Sequence, residues 1–274
     1  MTFRLIFTAD LHGNESFYRR LLKKAEEEKL NAIVIGGDIC PKGFGSIQDR
    51  ISHQKHFLED FMIPLFKEFK TKNKNCEICI IMGNDDFRVN QKILENSDEG
   101  GILKSIHNKS IKLNSKFNIC GYSFVNITPF RLKDWEKPDF KGDKCPLQMF
   151  DEVITSTERE DGTIEEDLNN LAKISKPGKT VYLVHCPPHG TNLDVITTGQ
   201  HVGSKSLRKF IETENPFLTL HGHIHESPQM SGFWKDKINN TFCINVGSSY
   251  PEDKLNCVII NIGDLKNIEY FELK

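Results

Sequence analysis

Aspartate, asparagine and histidine residues recur along this chain, each group directly after a short apolar run. They are Asp10 and His12 after residues 3–9, Asp38 after 32–37, Asn84, Asp85 and Asp86 after 78–83, His185 after 181–184, and His221, His223 and His225 after 217–220. Carboxylate oxygens and imidazole nitrogens are ligands of borderline and harder divalent cations. Two cations held side by side need several such ligands and one carboxylate that bridges them. The pattern therefore predicts a two-metal centre.

The elements that must position these residues can be predicted from the same runs. Short apolar runs that end in polar residues indicate buried strands whose carboxyl ends open onto a site. In the first half the runs alternate with amphipathic helices at 17–29 and 48–70. This βαβαβ order predicts an α/β protein with parallel strands and helices packed on a face.

The second half of the sequence is less regular. Past Asn90, short strands at 110–113 and 118–124 suggest an antiparallel meander. Helices are predicted at 164–174 and 204–214. Strands are predicted at 180–184, 242–246, 256–262 and 268–273. The stretch 126–162 is predicted to be a long loop or cap over the site. Without internal repeats or a low-complexity linker, residues 1–274 are predicted to form a single domain.

The order of the polar groups resembles the calcineurin-like metallophosphoesterase superfamily. The matching motifs are Asp10-x-His12, Gly37-Asp38, Gly83-Asn84-x-Asp86, His185 and Gly222-His223-x-His225, and the resemblance extends to about Asn245. The segment from His185 to Asp194 also looks like a prokaryotic branch of that superfamily, with Gly-Asn-Asp-Asp at 83–86. The resemblance implies a four-layer α/β/β/α sandwich, in which two mixed sheets pack face to face between helices.

The resemblance also implies roles for the ligands. Asp10, His12 and His225 would hold one metal ion, Asn84, His185 and His223 would hold the other, and Asp38 would bridge them. The two ions would be divalent or trivalent, and Mn, Fe, Zn, Co and Ni all suit this mixed nitrogen and oxygen set. The implied reaction is hydrolysis of a phosphate monoester or diester through in-line attack by a hydroxide that bridges the two ions.

The sequence departs from the superfamily pattern at Asp85, where many members carry a histidine that protonates the leaving oxygen. Asp86, the following acid, would orient that group. An aspartate near its reference pKa of ~3.9 is a poor acid at neutral pH, so Asp85 is a tuned acid, a substrate contact or a structural residue. His189 and His201 could supply the proton or grip a phosphate, and Arg88 could pair with a phosphoryl oxygen. His221 and Asn245 would support the ligands from behind.

The overall composition of the chain limits the classes of partner that we expect. Lys plus Arg is 36 and Asp plus Glu is 38, which gives a net charge of −2 and argues against an obligate nucleic-acid partner. We expect a small phosphate ester as substrate and no membrane partner, because no apolar run approaches the ~20 residues of a spanning helix. The chain shows no export signal and its cysteines are scattered, which predicts a cytoplasmic protein. The sequence leaves the oligomeric state open.

Two other functions compete with the hydrolase. The first is a non-catalytic metal-binding or protein-interaction scaffold of the same fold, although scaffolds normally lack some of the ligands. The second is a metallo-β-lactamase-type hydrolase, suggested by His221-x-His223-x-His225, but that family carries its histidine motif in the N-terminal half. The sequence contains no P-loop and no Gly-x-Ser-x-Gly elbow, which argues against P-loop ATPases and serine hydrolases.

Overall fold

Two six-stranded sheets form the centre of the molecule, as seen in a computed structural model that describes residues 3–144, 152–249 and 252–274. Along the chain the strands are β1 (Arg4–Thr8), β2 (Ala32–Gly36), β3 (Glu77–Ile81), β4 (Lys104–Ser105), β5 (Ser110–Lys112), β6 (Asn118–Tyr122), β7 (Thr180–Val184), β8 (Leu218–His221), β9 (Lys235–Ile238), β10 (Thr241–Asn245), β11 (Leu255–Asn261) and β12 (Asp264–Leu273). The first sheet has the order β12-β11-β1-β2-β3-β4 and the second has the order β5-β6-β7-β8-β10-β9.

Both sheets are mixed. In the first sheet β1, β2, β3 and β4 are parallel, whereas β11 and β12 pair antiparallel. In the second, β6, β7, β8 and β10 are parallel between antiparallel edge strands β5 and β9. The prediction of parallel strands in the first half is confirmed. The antiparallel pairing expected past Asn90 is present between β5 and β6, and it recurs between β9 and β10 and between β11 and β12, but a crossover leads from β6 to the parallel strand β7.

The helices lie outside the sheets and account for the predicted amphipathic segments. They are α1 (Glu15–Glu27), α2 (Ile47–His56), α3 (Ile63–Lys72), α4 (Gln91–Glu99), α5 (Ile164–Ile174), α6 (Lys205–Glu214) and α7 (Ser227–Ser231). A π-helical segment, Phe57–Met62, joins α2 to α3, so the predicted long helix is present with a local irregularity. Pro64 lies just beyond it and has no N–H to donate to the preceding turn, which favours a wider register there. The sequence analysis missed α4, α7, β4 and β9, which are short.

Side chains that alternate between the two faces of each strand form the layers of the sandwich. In β1, Leu5 and Phe7 face a core shared with Val181 and Leu183 of β7, whereas Ile6 faces the helices. Side chains on a strand point alternately to the two faces of its sheet, so burial of both faces requires apolar residues throughout. The central strands meet this requirement, and the predicted sandwich of two mixed sheets between helices is confirmed.

Of the segment 126–162 the structure describes 126–144 and 152–162, which contain isolated bridges in place of strands. Trp135 is fully buried. The Lys137 Nζ atom lies 2.7 Å from the Asp167 carboxylate of α5. These contacts hold the described part of the segment around Trp135 against the sandwich. Within the described residues, no helix is both long enough and apolar enough to cross a bilayer.

Candidate metal centre

The candidate ligands lie at the carboxyl ends of five parallel strands, where the two sheets meet. Asp10 and Asp38 come two residues after β1 and β2, Asn84 three residues after β3, and His185 directly after β7. His223 comes two residues after β8. The carboxyl ends of parallel strands meet at one edge, which is where α/β proteins bind ligands. The predicted convergence of these side chains is thus present in the structure.

Several of these loops adopt a left-handed backbone conformation. Asp10, His12, Asp38 and His223 have φ values of 57°, 44°, 49° and 68°. Non-glycine residues in this region carry strain on the order of 1 kcal/mol each, and such strain is concentrated at functional sites. Backbone hydrogen bonds between the first two loops offset it, from Asp10 N–H to the Gly37 carbonyl (3.0 Å) and from His12 N–H to the Asp38 carbonyl (2.9 Å).

The first cluster of ligand atoms comes from Asp10, His12, Asp38 and His225, and these atoms all lie within 4.8 Å of one another. The Nε2 atoms of His12 and His225 are 3.1 Å apart, and His225 Nε2 is 3.6 Å from Asp10 Oδ1. Two imidazole nitrogens that each bind one ion at roughly 2.1 Å are separated by about 3.0–3.4 Å. The spacing of the two imidazoles therefore fits a shared cation.

The second cluster is formed around Asn84. Its Oδ1 atom lies 3.1 Å from His185 Nε2 and 2.5 Å from His223 Nδ1. Asp38 Oδ1 lies 3.4 Å from the same His185 nitrogen, so Asp38 contributes to both clusters. The Nδ1 atom of His185 is 2.7 Å from the Gly36 carbonyl oxygen. Donation from Nδ1 leaves the lone pair of Nε2 directed into the cluster, as in metal sites whose histidines are oriented by a carbonyl.

Glycines beside the clusters leave room for the ligands. A Cβ atom on Gly83 would lie 2.3 Å from Asp38 Oδ1 and 2.5 Å from His185 Nε2. On Gly37 it would lie 2.6 Å from His185 Nδ1, and on Gly222 it would lie 2.6 Å from Asp10 Oδ2. These distances are shorter than van der Waals contact, so the three glycines permit an approach that no other residue allows.

The protonation equilibria of the clustered groups are linked. Burial opposes ionisation of Asp38, but His185 outweighs it and lowers the pKa of Asp38. Burial likewise lowers the pKa of His185, yet Asp38 outweighs it and raises that pKa to about 9. Burial, reinforced by His185, lowers the pKa of His223 to about 3. At neutral pH the Asp38 carboxylate is ionised and His223 is neutral, which are the states that bind cations, whereas His185 carries a proton that a bound cation would displace.

The two acids that follow Asn84 have different surroundings. The Asp85 carboxylate lies 2.8 Å from Lys42 Nζ and 3.8 Å from His12 Nδ1. Asp86 is fully buried, and its carboxylate accepts the backbone N–H groups of Gly83 (2.8 Å), Ile39 (3.1 Å) and Cys40 (2.8 Å). Burial, followed by the charge of Asp38, raises the pKa of Asp86 to about 7. The geometry makes Asp86 an anchor of two loops, and none of these three bonds is made to Asp85, the residue that the sequence analysis expected it to orient.

The residues predicted to contact the substrate lie in different surroundings. His189 and His201 both line a cavity of about 860 Å³ that opens beside the clusters. The Nδ1 atom of His201 lies 2.8 Å from Asp194, which is fully buried. Arg88 does not line this cavity among the described residues. Its guanidinium pairs with Glu160 and lies 5.5 Å from the Trp135 ring centroid. The predicted phosphoryl contact of Arg88 therefore has no support in the geometry.

His221 and Asn245, which the sequence suggested as supports of the ligands, contact the backbone of the ligand loops. His221 Nδ1 lies within 3.0 Å of the carbonyl oxygens of Val184 and Cys186, which flank His185. The Asn245 side-chain amide donates to the carbonyl of Ile224 (3.0 Å), which lies between the two terminal candidate histidines. Both side chains act on the backbone of the loops and so fix where the imidazoles point.

The sequence analysis missed other residues around the cavity. Lys42, Arg50, Arg131 and Asn126 line it, together with an apolar wall that includes Phe130 and Val202. Gln54, which is 1% exposed, donates to the Asp85 carbonyl (2.8 Å) and accepts the Phe87 N–H (2.8 Å). Only the Lys42 position carried a usable signal, because it follows the Asp38 motif on the same loop.

Comparison with known proteins places the chain in a family. Residues 3–227 match the family model of calcineurin-like phosphoesterases, and the chain belongs to that family of metal-dependent phosphoesterases. The uncharacterized protein MJ1162 of Methanocaldococcus jannaschii is 28% identical over 250 residues, which cover 88% of this chain and 87% of that protein.

Solved structures share the fold at low sequence identity. The crystal structure of TT1561 of Thermus thermophilus aligns with a TM-score of 0.65 at 12% identity, over 100% of both chains. A dimetal phosphatase from Danio rerio aligns with a TM-score of 0.56 at 12% identity, over 93% of this chain and 92% of that one. At these identities the similarity is one of fold.

Proposed function

We propose that this protein is a dinuclear metal-dependent hydrolase of phosphate mono- or diesters. The observation that carries the proposal is the pair of ligand clusters that share Asp38: Asp10, His12 and His225 on one side, and Asn84, His185 and His223 on the other. Oxygen and imidazole donors of this kind suit Mn, Fe, Zn, Co or Ni, in the divalent or trivalent state.

The protein's own side chains would position the reacting groups and neutralise part of their charge. When bound, two cations supply Lewis acidity toward the phosphoryl group and lower the pKa of water. Asp38 lies where its carboxylate reaches both clusters and fixes their separation. Asp10 and Asp38 carry negative charge that offsets the cations, while His185 is held in one orientation by the Gly36 carbonyl. Ligands held in this way would place the two cations so that the attacking and leaving oxygens can lie in line.

The cavity beside the clusters favours a small organic phosphate ester. Its volume of about 860 Å³ lies in the usual range for small-molecule sites. Lys42, Arg50 and Arg131 provide positive charge, and Phe130 and Val202 contribute to an apolar wall. This combination suits an anionic phosphoryl group attached to a larger, partly apolar group. We propose no nucleic-acid or membrane partner and a cytoplasmic location.

Metal loading and a substrate panel test the proposal. The metal-free protein is titrated with Mn, Fe, Zn, Co and Ni, and bound metal is counted per chain. Each loaded form is then assayed with aryl phosphomonoesters and with bis(4-nitrophenyl) phosphate. We expect two ions per chain and turnover with at least one metal. Binding of metal without turnover on any ester would favour the non-catalytic scaffold of the same fold.

The substitution Asp38→Asn tests the shared carboxylate. An amide carries no charge and bridges two cations poorly, so we expect turnover to fall by at least about 1,000-fold. The folded structure is retained because Asn has nearly the same volume, and circular dichroism checks this. Activity within tenfold of wild type in Asp38→Asn would contradict the proposed mechanism.

A further inference from the structure

A lysine lies beside Asp85, the residue in the position where many family members carry a histidine. Lys42 Nζ is 2.8 Å from Asp85 Oδ2. Both residues line the same cavity as Asp38, Asn84 and His223. The same Asp85 oxygen lies 3.8 Å from Nδ1 of His12, a candidate ligand of the first cluster. The ammonium group is therefore close enough to the first cluster for its charge to act there.

Contacts with the backbone of two loops hold Lys42 and Asp85 near one another. The Gln54 side-chain amide donates to the carbonyls of Asp85 (2.8 Å) and Pro41 (3.4 Å), so one buried residue of α2 joins the loops that carry Asp85 and Lys42. The Asp86 carboxylate also binds the backbone of both loops. A Cβ atom on Gly13 would lie 2.5 Å from Pro41, which shows how closely the loop is packed just before Lys42.

We propose that Lys42, held by Asp85, donates a hydrogen bond to the ester oxygen that leaves. The inference rests on the proposed phosphoesterase function. When the P–O bond breaks, this oxygen departs with the electron pair of the bond and takes its proton from water. The ammonium group offsets the negative charge that develops on the oxygen before protonation. Asp85 is then a positioning residue, which accounts for an aspartate in the position that would otherwise hold a proton donor.

The exposure and charge of the two side chains suit this role. The Lys42 side chain is 52% exposed and that of Asp85 is 25% exposed, so the ammonium group can reach toward a substrate while its partner stays at the metal centre. The two arginines that line the cavity are placed differently. Arg50 lies 5.3 Å from the Phe87 ring centroid, and Arg131 is 3.6 Å from Glu152. Lys42 is the cation paired with the residue next to Asn84.

A series of leaving groups tests the proposal. The metal-loaded wild type, Lys42→Met, Lys42→Arg and Asp85→Asn are assayed with aryl esters whose leaving groups range from 2,4-dinitrophenolate to phenolate. A poor leaving group needs charge stabilisation more than a good one. We expect Lys42→Met to lower kcat by about 100-fold for the phenyl ester and by less than about threefold for the dinitrophenyl ester. Lys42→Arg keeps the charge and should recover most of the loss.

Control variants separate positioning from general damage. Lys23→Met removes an exposed lysine of α1 whose side chain is 77% exposed, and it should match wild type across the series. Asp85→Asn should show the same dependence on the leaving group with a smaller loss. The double variant Lys42→Met/Asp85→Asn should be no slower than Lys42→Met, because both changes remove one interaction. Metal content is measured for each variant.

Several outcomes would overturn the proposal. If Lys42→Met lowers kcat by the same factor for every leaving group, Lys42 contributes to binding only. If kcat does not change, Lys42 has no role in the reaction. Loss of metal from Lys42→Met would make it a support of the metal site. Strict additivity in the double variant would remove the positioning role of Asp85. Absence of turnover in the wild type with every metal would instead overturn the proposed function, and the inference with it.

Discussion

Individual residues at this site are constrained by van der Waals contact as much as by their chemistry. Gly83 illustrates the point, since a single methyl group there would overlap Asp38 Oδ1 at 2.3 Å and His185 Nε2 at 2.5 Å. Both atoms belong to the clusters that we propose as ligands. The proposed metal binding therefore requires a glycine at position 83.

The substitution Gly83→Ala should weaken metal binding. Its Cβ atom must displace the Asp38 carboxylate or the His185 ring, so we expect metal affinity to fall by about 10-fold to 100-fold. The matched control is Gly178→Ala, because a Cβ atom there meets nothing within 4 Å. Calorimetric titration with metal measures both variants. Equal affinities in Gly83→Ala and wild type would show that the loop relaxes without cost.

The loops after β2 and β3 behave as one element because Asp86 joins them. Its buried carboxylate accepts N–H groups from Ile39 and Cys40 of the first loop and Gly83 of the second. Removal of the carboxylate takes away the acceptor of all three, and an unpaired buried donor is costly. The acid that the sequence suggested as catalytic thus stabilises the loops that carry Asp38 and Asn84.

Asp86→Ala should destabilise the metal-free protein by about 3 kcal/mol or more, because three buried N–H groups lose their acceptor. Urea denaturation followed by circular dichroism measures the free energy of unfolding. Asp60→Ala is the control, since that side chain is 73% exposed and pairs with a surface histidine, and it should change stability by less than about 1 kcal/mol. A similar change in the two variants would refute the anchoring role.

At the scale of the whole molecule, one apolar core connects the first sheet, the second sheet and the cap. It contains Ile6 of β1, Tyr182 of β7, Ile259 of β11 and Trp135 of the 126–162 segment. This continuity supports our proposal that residues 1–274 form a single domain. His107 lies at the junction of these parts, with the ring centroid of Trp135 at 4.9 Å and that of Phe124 at 5.5 Å.

Acid should destabilise the molecule through His107. Burial, followed by the charge of Arg88, lowers the pKa of His107 to about 3, against a reference value of 6.5. Below about pH 6.5 the unfolded chain binds a proton that the folded chain does not, so stability falls as pH decreases from 6.5 toward 3. The loss approaches ~1.4 kcal/mol per pH unit for this one group.

The variant His107→Gln removes this titration. Its free energy of unfolding should be less sensitive to pH between 6.5 and 4 than that of the wild type, as measured by urea denaturation of the metal-free proteins. Gln retains an acceptor for the Ser123 N–H, which lies 3.0 Å from His107 Nδ1. Parallel pH curves for the two proteins would place the acid sensitivity elsewhere.

The amino-acid sequence by itself determined the β-strands of the parallel cores and the candidate ligands at their ends. Apolar runs such as 32–37 and 181–184 can be read locally, because a strand buried on both faces needs apolar residues throughout, and Asp38 and His185 directly follow them. The crossover from β6 to β7 was not predicted, because the irregular stretch 126–162 separates β6 from the predicted helix at 164–174 and obscures the strand–helix–strand order.

Only the tertiary structure decided what the remaining polar residues contact. Asp86 accepts the backbone N–H groups of Ile39 and Cys40, Arg88 pairs with Glu160, and Lys42 pairs with Asp85. Each of these pairings depends on how two loops from separate strands approach one another, and such an approach leaves no local pattern in the sequence. The end of a strand fixes the backbone position of a residue, whereas the packing of neighbouring loops determines which group its side chain contacts.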